Sequence, residues 1–310
     1  MNRAIAGRLR PVIGLVILSA AVSALSPRFL TTGNILNVLR QTSINAVIAA
    51  GMTFVILTGG IDLSVGSVLA YCGVIMAALL ATQVPLVASI ALVLLLGAAI
   101  GVLTGLVITK GKVQPFIATF VSMTLLRGAT LVFTDGKPIS ADVGPAEAFA
   151  YLGQGYAFGV PVPIFLMIAV LAIAYYVLRH TRFGRYVYAL GGNEEAARLS
   201  GLRTGMIKTS VYAVSGLLSA TAGIILTARL SSAQPTAGAG YELDAIAAVV
   251  VGGTSLAGGS GRILGTLVGA LIIGILNNAL NLMNVSSYYQ MIAKGVIILI
   301  AVLLDRKTEA

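Results

Sequence analysis

The chain has 310 residues, of which 58% are hydrophobic and only 10% charged, with a mean hydropathy of +0.99. A water-soluble globule of this size needs more charge to cover its surface, so the composition excludes one and makes a bilayer the solvent. The net charge of +10 is spread over loops between apolar stretches, which argues against nucleic acid as a partner.

The first stretch, "MNRAIAGRLRPVIGLVILSAAVSALS", has the arginines, apolar run and small residues of a signal peptide. Many spans follow it, so it is expected to stay as an uncleaved first helix. Stretches long enough to cross about 30 Å of hydrocarbon lie near 11–26, 43–58, 63–82, 85–109 and 115–134, then near 161–179, 208–228, 242–257, 262–282 and 286–304. They predict an all-α polytopic membrane protein of about ten transmembrane helices. The stretches 43–58 and 242–257 are short enough for either to be broken or re-entrant. Lys and Arg gather in alternate loops: Arg8 and Arg10, Lys110 and Lys112, the arginines of 179–203, Lys208, Arg262, and Arg306 with Lys307. That asymmetry puts both termini in the cytoplasm. The 135–160 loop, with Asp135, Asp142 and Glu147 against Lys137, is then extracytoplasmic. One membrane domain is expected over 1–310, with no soluble catalytic domain attached.

Gln41, Thr42 and Asn45 precede or open the second span and are candidate pathway residues. "ILTGGIDLSVGSVLA" (56–70) then sets Asp62 in an apolar run behind Gly59 and Gly60. A buried unpaired charge is costly, so this acid marks a helix junction near the interface, a gate, or a titrating site. "TGGIDLSVG" (58–66) aligns without gaps with "VGGTSLAGG" (251–259), pairing Gly60 with Gly253 and Asp62 with Ser255. Serine and aspartate both cap helices, but only one is charged. The shared role is therefore capping rather than ion coupling. Interrupted segments at matching places in two halves point to a transport pathway; the span count implies that this weak repeat is parallel, and an inverted repeat would mean the count between the halves is off by one.

Cys72, the sole cysteine, is expected to be a small buried hydrophobe, and His180, the sole histidine, an interfacial residue. No metal site is expected. Gly97, Gly101 and Gly105, and likewise Gly261, Gly265 and Gly269, recur every fourth residue. That spacing permits close helix contact, so either stripe is a candidate dimer seam. Arg127 and Lys294 fall inside predicted spans, too deep to snorkel freely; each is assigned an ion pair or a pathway role, with Asp135, Glu242 and Asp244 as available acids. Asn277, Asn281 and Asn284 share a helix face that Asn278 widens. Amides can both donate to and accept from sugar hydroxyls, though they also join helices.

The longest cytoplasmic loop, 179–208, contains "NEEAARLSG". Asn193 caps a short helix, Glu194 and Glu195 suit its positive end, Ala196 to Leu199 continue it through Arg198, and Gly201 closes it. Two turns are too few to be stable alone, which suits a helix held by its neighbours and docked on a partner. "NEEAARLSGL" resembles the coupling loop of permease subunits of binding-protein-dependent ABC importers. "GGIDLSVGS" and "AIAAVVVGGTSLAGGSGRILGT" resemble the ribose-type sugar permeases of that superfamily, and the similarity covers nearly the whole chain.

The resemblance implies a bacterial inner-membrane homodimer, bound to a cytoplasmic ABC ATPase and fed by a periplasmic sugar-binding protein. Its cargo would be a monosaccharide, ribose before other small sugars or sugar-like signals. The chain would bind no cofactor, ATP and Mg being used by the ATPase. Consistently, "GTSLAGGS" (253–260) has glycine where a phosphate loop needs lysine. The rival of an ion-coupled transporter wants intramembrane acids, of which Asp62 alone qualifies. An intramembrane enzyme would need a nucleophile–base pair or metal cluster.

Overall fold

A computed structural model describes residues 3–141 and 146–286, and beyond them 288–293, 295, 296 and 299. Asp142, Lys294, Arg306 and Lys307 fall outside, so the roles expected of Lys294 and of the C-terminal end are not described.

The chain forms helices α1 (Arg3–Leu25), α2 (Thr32–Leu57), α3 (Val65–Ala81), α4 (Leu86–Thr109) and α5 (Pro115–Thr134). A linker helix α6 (Ala146–Gln154) leads to α7 (Val162–His180), α8 (Arg182–Gly192), α9 (Glu194–Leu199), α10 (Thr204–Leu230), α11 (Tyr241–Val251) and α12 (Ile263–Leu282). Six helices among the described residues are long and apolar enough to cross a membrane: α2, α4, α5, α7, α10 and α12. The apolar part of α1 and all of α3 are shorter. About ten spans is therefore more than the described helices supply.

The stretch 43–58 is not broken: its helix starts at Thr32 and takes Arg40, Gln41 and Asn45 into it. The interruption falls in the other short stretch. α11 has 11 residues, about 16 Å at 1.5 Å per residue, roughly half a bilayer core.

α2 and α10 form the centre. Their most apolar windows are 78% and 72% buried, against 22% and 17% for α4 and α5. Glycine makes the central contacts close. A Cβ on Gly101 would collide with the Tyr212 carbonyl, one on Gly97 would meet Ala220 and Gly216, and one on Gly105 would stand 2.7 Å from the Thr209 Cα. The first stripe thus joins α4 to α10 within one chain. Gly265 and Gly269 likewise face Gly252 and Ala248 of the α11 end, and Gly261 faces Thr254. Neither stripe is free to be a dimer seam, because each is filled by its own chain.

The described residues of the 135–160 loop carry short strands and a helix. Ile139–Ser140 (β1) pairs antiparallel with Ser232–Ala233 (β4), and Tyr156–Ala157 (β2) with Val160–Pro161 (β3). α6 buries Phe149 and presses Gly153 on the α10 end, where Gln154 donates to the Ala228 and Arg229 carbonyls at 3.3 and 3.1 Å. Cys72 is buried, as an apolar residue should be.

Candidate functional site

Two helix breaks lie side by side. α2 ends where Gly59 turns at φ +74° and the Gly59 and Gly60 N–H groups bond back to Ile56 and Val55. α11 ends alike: Gly253 turns at φ +88°, and Gly253 and Thr254 bond back to Val250 and Val249. Only glycine adopts such angles without strain. The left-handed turns match Gly59 with Gly253, one residue away from the ungapped sequence alignment. The side-chain turns follow the alignment instead: Asp62 accepts the Ser64 N–H at 3.0 Å and Ser255 the Ala257 N–H at 3.2 Å, but neither caps a helix as expected, since the residues at the starts of α3 and α12 are Ser64 and Arg262. The breaks touch, because Gly259 N–H donates to the Leu57 carbonyl at 2.9 Å.

From there residues 58–64 run as non-helical chain against α10 and α5, until Gly66 meets Gly238 backbone to backbone. Irregular backbone inside a bundle needs its polar groups satisfied. Thr119 donates to the Ile61 carbonyl at 3.3 Å. Asp62 is not an interfacial cap: it is 3% exposed and level with the middle of α10. One carboxylate oxygen accepts the Ser64 N–H and, at 2.6 Å, the Ser64 hydroxyl; the other accepts the Ser215 hydroxyl at 2.7 Å. Gly60 makes room for the Tyr212 hydroxyl, which a Cβ would approach to 2.5 Å.

A polar stripe lines α2 between α11 and α12. Asn34 and Asn278 exchange amide hydrogen bonds of 3.0 and 2.9 Å, so Asn278 joins helices. Gln41 donates to Asn37 at 3.1 Å, and Asn45 to Asp244, a buried acid, at 3.5 Å. Deeper in, the Thr53 and Thr266 hydroxyls meet at 2.8 Å. Thr42 packs on Gly274. Among the described residues, Thr42 Oγ1, Asn45 Oδ1 and Asn277 Oδ1 are buried without a hydrogen-bond partner. Asn281 accepts from Gln290 at 2.8 Å, and Asn284 is an exposed left-handed residue past the end of α12. The four asparagines thus divide: Asn278 fastens α12 to α2, Asn277 faces the interior, and the last two lie at the surface.

Arg127 pairs with no carboxylate among the described residues. Its guanidinium donates to the Pro235 and Ala237 carbonyls at 2.8 and 2.9 Å, fastening the loop before α11, with Glu242 near enough to act electrostatically. Asp135 instead pairs with Lys137 on the surface.

At the opposite end from α6, α9 is capped by Asn193, whose Oδ1 accepts the Ala196 N–H at 2.9 Å, and Gly201 follows at φ +83°. Glu194 pairs with Lys208 of α10 at 2.6 Å, and Glu195 with Arg198 at 2.7 Å. Ala197 is buried against the body while Leu199 is 79% exposed. A cavity of about 350 Å³ adjoins, lined by Phe183, Tyr186, Leu202, Arg203, Met206 and Ile207.

Sequence reasoning missed α8. Its signals were present: Thr181 caps it through the Gly184 N–H at 3.2 Å, and Gly184, Val187 and Leu190 recur on its buried face. Asp244, expected as an acid available to Arg127 or Lys294, instead accepts from Asn45 of α2.

The family described as "branched-chain amino acid transport system / permease component" matches residues 34–302. The ribose import permease protein RbsC of Haemophilus influenzae is 61% identical over 297 residues, 96% of this chain and 92% of that protein. Its namesake in Escherichia coli K12 is 58% identical over 97% of this chain and 94% of its own. That of Bacillus subtilis is 57% identical over 98% and 94%. No solved structure matches the chain. By the extent of these matches, the chain belongs to the permease-component family of branched-chain amino acid transport systems.

Proposed function

We propose that the chain is the membrane-spanning subunit of an ATP-driven, binding-protein-dependent importer that carries ribose across the bacterial inner membrane. The observation that carries this reading is identity of 57–61% over nearly the full chain with proteins named ribose import permeases. The subunit hydrolyses no ATP; a separate cytoplasmic ABC ATPase does so with Mg, and a periplasmic protein delivers the sugar. Two copies form the channel, with both termini and the 179–208 loop cytoplasmic and the 135–160 loop outside, as the positive charges favour.

α9 is the ATPase-coupling helix. Its support is an exposed Leu199 on a short helix tied to α10 through Glu194 and Lys208. Leu199→Asp is expected to abolish copurification of the ATPase while leaving membrane expression unchanged. The pathway candidates are the interior amides Gln41, Asn45 and Asn277 beside the paired breaks at Gly59, Gly60, Asp62, Gly253 and Ser255. Buried amide oxygens without protein partners suit passing hydroxyls. Asn281, Asn284 and Lys294 are weaker candidates, and Arg127 serves by holding the loop ahead of α11.

The test of substrate is competition. With the cognate binding protein present, unlabelled ribose should displace labelled ribose uptake better than other pentoses, hexoses or leucine. Equal or stronger competition by another sugar would reassign the cargo within the same transport reaction. Competition by leucine would move it to the class that the family description names.

A further inference from the structure

We propose that Tyr188 and Gly191 of α8 are positioning residues that carry movement of α9 to both helix breaks at once. The inference rests on α9 being where the ATPase acts.

α8 and α9 are joined without a linker, since Gly192 is followed directly by the cap residue Asn193. The end of α8 is wedged between the breaks. A Cβ on Gly191 would overlap the Leu57 carbonyl oxygen and stand 2.5 Å from the Gly259 nitrogen, the two atoms that bond one break to the other. A Cβ on Gly258 would stand 2.9 Å from the Gly59 nitrogen and 3.1 Å from the Gly191 carbonyl oxygen, so both breaks and the end of α8 meet at backbone distance. One turn earlier, the Tyr188 hydroxyl donates to the Gly261 carbonyl at 2.9 Å. Phe183 stacks on Phe54, near the end of α2, with ring centres 6.3 Å apart.

α8 therefore grips the α2–α3 break at Phe54 and Leu57 and the α11–α12 loop at Gly259 and Gly261. Close-packed backbone has no slack to absorb a shift. When α9 moves, either both breaks follow or these contacts are lost. The breaks hold non-helical chain and left-handed turns, the places where a few residues can absorb a change in direction. The neighbouring glycine gives a built-in contrast: a Cβ on Gly192 would meet nothing within 4 Å.

The experiment uses the complete importer in proteoliposomes, with ATPase and binding protein, and reads ribose moved per ATP hydrolysed. Tyr188→Phe should leave ATPase copurification and hydrolysis unchanged while that ratio falls about fivefold, the worth of one neutral hydrogen bond. Gly191→Ala should lower it at least as far, and Gly192→Ala should leave it unchanged. An unchanged ratio in Tyr188→Phe would overturn the proposal. So would loss of the ATPase, or hydrolysis and uptake falling in proportion, since either places the defect before transmission. If Gly191→Ala does not assemble, Tyr188→Phe decides alone. Ribose uptake by the unsubstituted importer without ATPase would defeat the underlying reading, a result obtained before any variant is made.

Discussion

Replacing Asp62 separates charge from hydrogen bonding at the centre of the bundle. Its carboxylate receives three hydrogen bonds, from the Ser64 N–H at 3.0 Å and from the Ser64 and Ser215 hydroxyls at 2.6 and 2.7 Å. Hydrogen bonds to a charged group contribute about 1.5–3 kcal/mol each, and orphaned buried donors cost about 1–3 kcal/mol each. In Asp62→Asn the amide oxygen keeps both Ser64 donors. The amide nitrogen turns to Ser215, whose hydroxyl can accept it and send its own proton to a carbonyl one turn back in α10. The expected loss is about 1–2 kcal/mol, the charge assistance alone. In Asp62→Ala the Ser64 N–H is stranded and a void opens, for about 3–5 kcal/mol, a large part of a marginal stability.

Thermal unfolding in detergent should therefore order the proteins as native, Asn slightly below, and Ala far below. ATP-driven uptake by Asp62→Asn should stay within a few-fold of native, as a stability effect of that size allows. Asp62→Asn melting like native but transporting nothing would refute the reasoning and restore a role for the negative charge itself.

Gly101→Ala should destabilise by about 1–3 kcal/mol, because α4 must back away from the Tyr212 carbonyl, whereas Gly128→Ala, at an open position, should be near neutral in the same melts. A double-mutant cycle over Asn34→Ala and Asn278→Ala should give a coupling of about 0.5–2 kcal/mol, since the pair exchanges two hydrogen bonds inside the bundle. Arg127→Ala should cut uptake even if expression is normal, as the Pro235 and Ala237 carbonyls both lose the Nη1 donor that holds them; native uptake in that variant would show the loop needs no such fastening.

Sequence foretold most of the helices because apolar length is a strong signal, and 115–134 coincides with α5. It failed where length and burial part company. The stretch 242–257 is mostly apolar, yet only 241–251 is helical, since Gly252 packs on Gly265 and Gly253 turns left-handed. The stretch 43–58 hides a helix begun at Thr32, because Asn34, Asn37, Arg40 and Gln41 look like loop residues until their partners on α12 and around them are known.

At the site, the glycine pairs were legible, and so was the likeness of Asp62 to Ser255, though each closes a turn two residues on rather than capping a helix. The depth of Asp62 was not: Ser215, which makes burial tolerable, is 153 positions away in sequence. The glycine stripes were legible as contacts but not as to partner, since spacing states only that something comes close. α8 was masked by its many arginines and tyrosines, although its cap and its buried face were there to read.

The central claim is that this chain moves sugar only when a separate ATPase drives it. The most direct measurement is labelled ribose uptake into proteoliposomes carrying the chain with binding protein, compared with and without ATPase and ATP, and with the proton gradient collapsed. Uptake is predicted to require both ATPase and ATP and to be indifferent to the gradient. Uptake that persists without the ATPase, or that stops when the gradient collapses while ATP is held constant, would contradict the account.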